Sequence, residues 1–296
     1  MLVGAQLKRD ININDKIIFL RIAMVSAGLY LVSTPIGNLN DITIRAIDIL
    51  KNSDVILCEN TLNSKKLLKK YNILTKLEKY TDHDFDKKKD YILDLIKVGQ
   101  KISLISDSGS PLISDPGSQL INYLIKHSVK IYPIPGASAL IPAIQLSGFL
   151  NNKKYLFIGF MPKKIEQKIK LIENQLSHNL VIYSTKQQLK KDIQAIAQLS
   201  NRFQIVLLKE ITKMFEERIE INQDTLSKID FTAIRGELVI VVNAESKETD
   251  SRNIDQKEIL KLTQEIGIKK AYQELKSKYK LSRNEFYKIA LDLKNE

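Results

Sequence analysis

The chain of 296 residues contains a single cysteine, Cys58, so no disulfide can close within it and no cysteine cage can hold zinc. Its three histidines, His83, His127 and His178, are scattered, which argues against a histidine-rich metal site, and no metal is expected. So little cysteine fits a reducing cytoplasm. Neither G-x-G-x-x-G nor G-x-x-x-x-G-K-S/T occurs, so the dinucleotide and P-loop fingerprints are missing. Long apolar runs are scarce. Ile17–Val32, preceded by Lys8, Arg9 and Lys16, has the layout of a signal peptide or anchor, but Arg21 interrupts it and a membrane span needs about 20 apolar residues. The run from Ala137 to Leu150 is broken by Pro142 and Gly148. No membrane attachment is expected.

Basic charge, by contrast, is abundant. Forty-six Lys and Arg stand against 34 Asp and Glu, a formal charge of +12. Such an excess predicts an acidic partner, nucleic acid first and an anionic membrane surface second. Much of it sits in the clusters Lys65-Lys66, Lys69-Lys70, Lys87–Lys89, Lys163-Lys164 and Lys190-Lys191. Most of these are expected to be solvated helix faces. A hydrophobic share of 44% with 27% charged residues is globular, and the length suits about two domains.

Short apolar runs alternate with segments of helical period, the α/β signature. Strands are expected at Leu29–Thr34, Val55–Glu59, Ile102–Ser106 and Val129–Ile134, then at Tyr155–Phe160, Leu180–Ser184, Gln204–Lys209 and Glu237–Asn243. Between them, Ile44, Ile47 and Leu50 would line a helix face after the cap candidate Asp41, and Leu93 and Ile96 another before Gly99. The polar stretch after Gly148 suggests a boundary. We therefore expect an N-terminal extension over 1–28 with Met24 as a possible alternative start, α/β domains over 29–148 and 149–244, a polar linker over 245–255, and a helical module over 256–296. In that module Ile259, Leu262 and Ile266, then Ile268, Ala271, Tyr272 and Leu275, recur at helical spacing, and Ser282-Arg-Asn-Glu285 reads as a capping box before the stripe Phe286, Ile289, Ala290 and Leu293. Its outward Lys and Arg suit either a solvated face or an RNA contact.

Open α/β sheets bind ligands beyond the carboxyl ends of their strands. After the first strand comes Thr34-Pro-Ile-Gly-Asn-Leu-Asn-Asp-Ile-Thr43, with Gly37 able to turn or to admit a ligand. After the third comes Asp107-Ser-Gly-Ser-Pro-Leu-Ile-Ser-Asp-Pro-Gly117, unusually dense in turn-forming residues for a single connection. Asp107 and Asp115 could hold a ribose hydroxyl, and helix capping is the plainer reading of Asp115. After the fourth comes Pro135-Gly-Ala-Ser-Ala139 at a helix start, where Gly136 and Ala137 serve either ligand approach or tight packing and Ser138 offers a hydroxyl.

Taken in order, these loops with Gly159-Phe-Met-Pro-Lys-Lys164, Glu210-Ile-Thr-Lys-Met-Phe-Glu-Glu217 and Arg235-Gly-Glu237 resemble the small-subunit rRNA methyltransferase I family, within the tetrapyrrole-methylase-like (class III) methyltransferases. The resemblance runs from Leu29 to about Val242, and the tail resembles the helical module that often ends this family. It implies two α/β domains with S-adenosylmethionine in the cleft between them, a homodimer, and methyl transfer to the ribose 2′-OH of a cytidine in the decoding region of 16S rRNA. It places the cofactor against Pro35, Gly37 and Asn38, against Asp107, Gly109 and Pro111, and against Gly136, Ala137 and Ser138.

Departures from the family lie at strand ends. Its usual Glu-Asp-Thr-Arg is Glu59-Asn60-Thr61-Leu62, a histidine two residues before His83 is Thr81, and Tyr-Glu-Ser-Pro-His-Arg is Tyr183-Ser-Thr-Lys-Gln-Gln188. Lys209 replaces a usual Arg before Glu210. The candidates to help a ribose hydroxyl ionise are Glu59, His83, Asp107, Glu210 and Lys213. Each also has a plain role: strand-end ion pairs for Glu59 and Glu210, solvation for His83, and pairing with Glu216 or Glu217, or contact with RNA phosphate, for Lys213. Cys58 reads as a small core residue rather than a nucleophile. Two other functions stay open, a tetrapyrrole C-methyltransferase on the same scaffold and a catalytically lapsed RNA-binding or ribosome-assembly protein.

Overall fold

Alternation along buried strands decides the architecture. The computed structural model describes residues 26–149, 154–199, 203–243, 255–279, 286–287, 289–291 and 293. In β1 (Gly28–Val32), Leu29 joins one apolar cluster and Tyr30 and Val32 the opposite one; in β2 (Val55–Cys58), Val55 and Leu57 oppose Ile56 and Cys58. With β3 (Lys76–Lys79), β4 (Lys101–Ile105) and β5 (Ile131–Ile134) they form a parallel sheet in the order β3-β2-β4-β1-β5. Strands buried on both faces must be apolar on both, hence the near-continuous runs. Helices α1 (Ile44–Asn52) and α2 (Thr61–Lys70) cover one face, and α3 (Phe85–Lys97) and α4 (Ser118–Lys126) the other. Cys58 is fully buried, and burial pushes its thiol above the usual range. It is a core residue, as its apolar strand implied.

The order β4-β1-β5 has a direct consequence. The three small-residue loops follow three adjacent parallel strands, so they emerge side by side at one sheet edge. Then α5 (Leu140–Ser147) leads to a second, mixed sheet of β6 (Tyr155–Phe160), β7 (Asn179–Ser184), β8 (Gln204–Lys209), β9 (Glu217–Asn222) and β10 (Leu238–Val242), ordered β6-β7-β10-β8-β9. Its outer face packs on α6 (Ile165–Ile172) and α7 (Leu189–Leu199). On the inner face, Val181, Val206, Leu208, Val239 and Val241 pack with Ile36 of the first loop and Ala143 of α5. Arg218 on β9 donates to the carbonyls of Leu146 (2.8 Å) and Ser147 (3.3 Å), satisfying the last turn of α5. Because β10 runs antiparallel to both neighbours, Leu238 stands opposite Ser184 and Lys209. The segments around Tyr183, Glu210 and Glu237 therefore meet at one end of this sheet.

Both sheets belong to one compact unit, Met1–Ala244; the other is Glu245–Glu296. In the latter, α8 (Gln256–Ile266) is capped by Asp255, whose carboxylate accepts the Lys257 and Glu258 amides, and α9 (Ile268–Tyr279) follows the turn at Gly267. Ile259, Ala271, Leu275, Tyr279, Phe286 and Ala290 form its core.

All eight expected strands are present, and two more were not anticipated. Lys-Leu-Glu-Lys (β3) and Glu-Arg-Ile-Glu-Ile-Asn (β9) are edge strands, whose charges discourage pairing with another chain and dilute the apolar pattern. Thr43, not Asp41, caps α1, accepting the Ala46 amide at 3.1 Å. The buried stripe of α1 is Ala46, Ile49 and Leu50, while Ile44 is exposed. Residues 1–25, most of the polar 245–255 stretch and the Ser282–Glu285 box lie outside the described residues.

Lys168 on α6 and Asp192 on α7 form an ion pair almost wholly removed from solvent, and the same carboxylate accepts the Ser184 hydroxyl at the end of β7. Removing one partner strands a buried charge, at a cost of about 3–5 kcal/mol, whereas an apolar pair of similar volume can be neutral. Urea unfolding should therefore show K168A losing stability in that range and K168M/D192L losing much less. Equal losses would contradict the pairing.

Candidate active site

The first three loops are tied to each other before any ligand is considered. Thr34 N–H donates to the Gly109 carbonyl at 2.8 Å and Gly109 N–H to the Thr34 carbonyl at 3.0 Å, an isolated antiparallel bridge. The Thr34 hydroxyl donates to the Ser106 carbonyl at 3.1 Å. The Ser33 and Ser110 hydroxyls are 2.8 Å apart, and Ser110 Oγ donates to the Ala137 carbonyl at 3.3 Å. Gly109 has φ +81°, and a Cβ on Gly136 would stand 2.9 Å from Ser33 Cβ. At Gly136, then, the missing side chain serves tight packing.

A cleft of about 440 Å³ lies between these loops and the converging end of the second sheet. Ser108, Gly109, Ser110, Ser138 and Ala139 present small surfaces from the first sheet's loops. Ile36, Ile113, Phe160, Ile211, Leu238 and Val239 give apolar surface, and Asp115, Tyr183, Thr185, Lys186, Gln187 and Glu237 polar groups. Phe160 is exposed and meets the Tyr183 ring edge-on at 5.7 Å. The loops on both sides carry non-glycine residues in the left-handed region: Leu112 (φ 73°) and Ser114 (φ 72°) on one, Glu210 (φ 54°) and Thr212 (φ 70°) on the other. Such conformations persist where the surroundings impose them, commonly at ligand sites.

Burial, then the charge of Glu59, push the Asp115 carboxyl up to about 6, with Asp107 adding to the rise and a Ser106 hydrogen bond opposing it. The Tyr183 phenol is raised by burial; its hydrogen bond with Ser138 opposes the rise and the charge of Asp115 adds to it, so it stays neutral at physiological pH. At the cleft margin Lys213 Nζ lies 3.0 Å from Glu210 Oε1 and 3.2 Å from Glu237 Oε2. Burial works against that ammonium, yet the two carboxylates outweigh it and raise its pKa. Burial likewise opposes the Glu210 charge, but the Glu237 amide, 2.7 Å away, and Lys213 hold the carboxyl below its usual range.

The sequence candidates fall into distinct places. Gly109 and Ser138 line the cleft. Gly136, Ala137 and Ser138 also line a shallower recess with Asp41 and Thr212. Gly37 and Asn38 form the seam between the sheets: a Cβ on Gly37 would lie 2.4 Å from Lys213 Cγ, and Asn38 N–H donates to Thr212 Oγ1 at 3.1 Å. Pro111 is buried under its loop. Pro35 and Asp107 line a second cavity of about 370 Å³, together with Thr34 of the Thr34–Gly109 bridge. Glu59 is exposed and acts on Asp115 through its charge. His83 is exposed in the turn Asp82–Asp84, away from both cavity linings. Lys213 pairs with Glu210 and Glu237, not with Glu216 or Glu217, which engage the Thr212 amide and Lys209. Asp115 is no helix cap: Gly117 occupies that position, and the Asp115 carboxylate borders the cleft. Tyr183 and Thr185–Gln187, met in the sequence as a departure from the family pattern and not named as site candidates, line the cleft, and a tyrosine ending a buried strand before a polar run was the available signal. Among the departures, Asn60 still caps α2, accepting the Leu62 amide at 3.0 Å and the Asn63 amide at 3.4 Å, while Leu62 projects into solvent. Thr81 N–H and Oγ1 both donate to Asp84 Oδ2, at 2.9 and 2.8 Å. No cluster of metal-ligating side chains occurs among the described residues.

Two α/β layers of this topology with a cleft at their loops define a class. Residues 28–229 match the model of the Tetrapyrrole (Corrin/Porphyrin) Methylases. A solved uroporphyrin-III C-methyl transferase from Thermus thermophilus, complexed with S-adenyl homocysteine, shares the fold at TM-score 0.55 and 13% identity, covering 73% of this chain and 97% of that one. Ribosomal RNA small subunit methyltransferase I of Rickettsia prowazekii is 38% identical over 277 residues, 90% of this chain and 97% of its own length. The protein of that name from Mesorhizobium japonicum is 34% identical over 275 residues, 90% and 92% of the two chains. The chain belongs to the ribosomal RNA small subunit methyltransferase I family.

Asp115 carries a pH signature. Its folded pKa of about 6 lies above the unfolded value of roughly 3.9, so its favourable contribution is complete below pH about 4 and is lost as pH rises through about 6. D115N removes that titration. By urea unfolding it should be more stable than the wild type at pH 7, by on the order of 1–2 kcal/mol after allowance for solvent screening, and the gap should close below pH about 4. A pH-independent gap would contradict this environment for Asp115.

Proposed function

We propose that this chain transfers a methyl group from S-adenosylmethionine to small-subunit ribosomal RNA, at the ribose 2′-OH of a cytidine in the decoding region of 16S rRNA. The observation that carries the reading is the cleft of about 440 Å³ at the strand ends, in the size range of small-molecule sites and lined by side chains small enough for close approach. The residues fit the donor. Backbone at Ser108–Ser110 and Ser138 can approach a nucleoside, Ile36, Ile211, Leu238 and Val239 offer apolar surface to a base, and Tyr183 and Thr185 offer hydroxyls to polar groups. Bound there, S-adenosylmethionine supplies a methyl group already activated by its positive sulfur.

What the protein must add is mainly alignment. Orientation alone can lower such a barrier by roughly 7–11 kcal/mol, while a positioned base contributes about 10²–10⁴-fold. The hydrogen-bonded, glycine-tight loops supply the rigidity that alignment needs. Of the two carboxylates lining the cleft, Glu237 is engaged by Lys213 at 3.2 Å, whereas Asp115 is made more basic by burial and by Glu59. We assign Asp115 as the acceptor of the ribose proton. A carboxyl titrating near 6 is largely ionised at neutral pH and yet more basic than an ordinary aspartate. The exposed Lys65 and Lys69 on α2 suit RNA phosphate, which makes binding salt-sensitive. The small ribosomal subunit as substrate, a homodimer as the active form and a cytoplasmic setting belong to the same proposal, on the strength of the motif resemblance. No helix among the described residues is long and apolar enough to cross a membrane.

Labelled S-adenosylmethionine, incubated with the protein and undermodified small subunits, should place label on the 2′-oxygen of one cytidine. D115N should slow that transfer by about 10²–10⁴-fold with donor binding, read by calorimetry, retained. Label appearing only on a porphyrin or corrin precursor would support a tetrapyrrole methyltransferase instead. Salt-sensitive RNA binding with no transfer would indicate a lapsed enzyme.

A further inference from the structure

The second cavity, about 370 Å³, is lined by residues of the same two loops that border the cleft. Thr34, Pro35, Ser106 and Asp107 line it, while Ile36, Ser108 and Gly109, next along the same two loops, line the cleft. The two spaces thus share the same two loops. Pro35, Leu39, Leu67 and Ile105 give this cavity apolar walls, and Asn63, Lys66 and Asp107 stand exposed at its rim. Asp107 is fixed in place: its Oδ1 accepts the Asn60 amide at 3.2 Å and its Oδ2 the Asn63 side-chain amide at 2.9 Å. Each oxygen keeps a further lone pair for a ligand.

We propose that this cavity receives the base of the target nucleotide and selects cytosine over uracil, with Asp107 as the discriminating residue and Lys66 as its counterpart. The proposal rests on the RNA-methyltransferase reading for the identity of the ligand. An unstacked base is recognised by apolar contact on its faces and hydrogen bonds along its Watson–Crick edge. Cytosine presents its amino donor where uracil presents a carbonyl acceptor. A fixed carboxylate accepts from the first and repels the second. The Lys66 ammonium can donate to the pyrimidine 2-carbonyl, a group adenine lacks although it shares the amino group. A base held here rests on the same two loops that border the cleft.

The test uses the nucleosides cytidine, uridine and adenosine, which carry no phosphate to attract lysine, titrated into the full chain and followed by NMR. The wild type should prefer cytidine at least about fivefold, as a base-edge hydrogen bond to the wrong base costs. D107N, which exchanges an acceptor for a donor at nearly constant shape, should abolish or invert the cytidine-to-uridine preference. K66M, at an exposed position, should weaken both pyrimidines and narrow their margin over adenosine. Donor binding by calorimetry serves as the check that each variant is folded. Equal binding of cytidine and uridine by the wild type, or an unchanged preference in D107N, would overturn the proposal. Cytidine preference without methyl transfer to any RNA would instead overturn the enzymatic reading and leave the base site standing.

Discussion

The reciprocal pair of hydrogen bonds between Thr34 and Gly109 is the constraint on which the site depends. Parallel strands deliver their loops to the same edge but do not bind those loops to each other. Here the loop after β1 is fastened to the loop after β4 by backbone, and through Ser110 to the loop after β5. The backbone at Gly109 takes φ +81° to make this pairing, a conformation that favours glycine. With this seam closed, Ile36 is delivered into the apolar face of the second sheet and Gly37 meets the Lys213 stem. The two sheets are thereby held by the same few residues that border the cleft.

A site assembled this way favours positioning over chemical force. Its strained residues lie on the loops, at Leu112, Ser114, Glu210 and Thr212, and the layers beneath them are ordinary close-packed aliphatic core. Charge is handled in two distinct ways. Lys213 is neutralised between two carboxylates at the margin, while Asp115 keeps company with other acids and has its proton affinity raised. The first arrangement ties together loops of the second sheet; the second leaves a group free to exchange a proton.

Much of this was readable from the chain, and the reasons are physical. Fully buried parallel strands have to be apolar on both faces, so Leu29–Val32 and Ile102–Ile105 announce themselves. Loops crowded with Gly, Pro, Ser and Asp betray backbone that must turn tightly or approach something closely. The charged edge strands β3 and β9 carry no such signal, and Lys76–Lys79 looks like any solvated segment until its neighbour is known. Asp115 was misread because a carboxylate shortly before a helix resembles a cap; the left-handed Leu112 and Ser114 turn the loop, and Gly117 takes the capping position. Tyr183 was met only as part of a departure from the family, because its partner Ser138 lies on a loop of the other sheet and local pattern cannot reveal such a meeting. The Asn60 departure looked like a loss of chemistry and proves to preserve a cap, because Asn and Asp accept amide protons equally well at that position.

The lone sulfhydryl has a practical consequence. Cys58 ends β2 at full burial, on the strand whose following loop carries Glu59 and Asn60. Its thiol is both inaccessible and reluctant to ionise, so an alkylating reagent can reach it only when the first sheet opens. With no second cysteine to confuse the signal, the native chain carries its own built-in clock for excursions of the half-molecule that holds the three fastened loops.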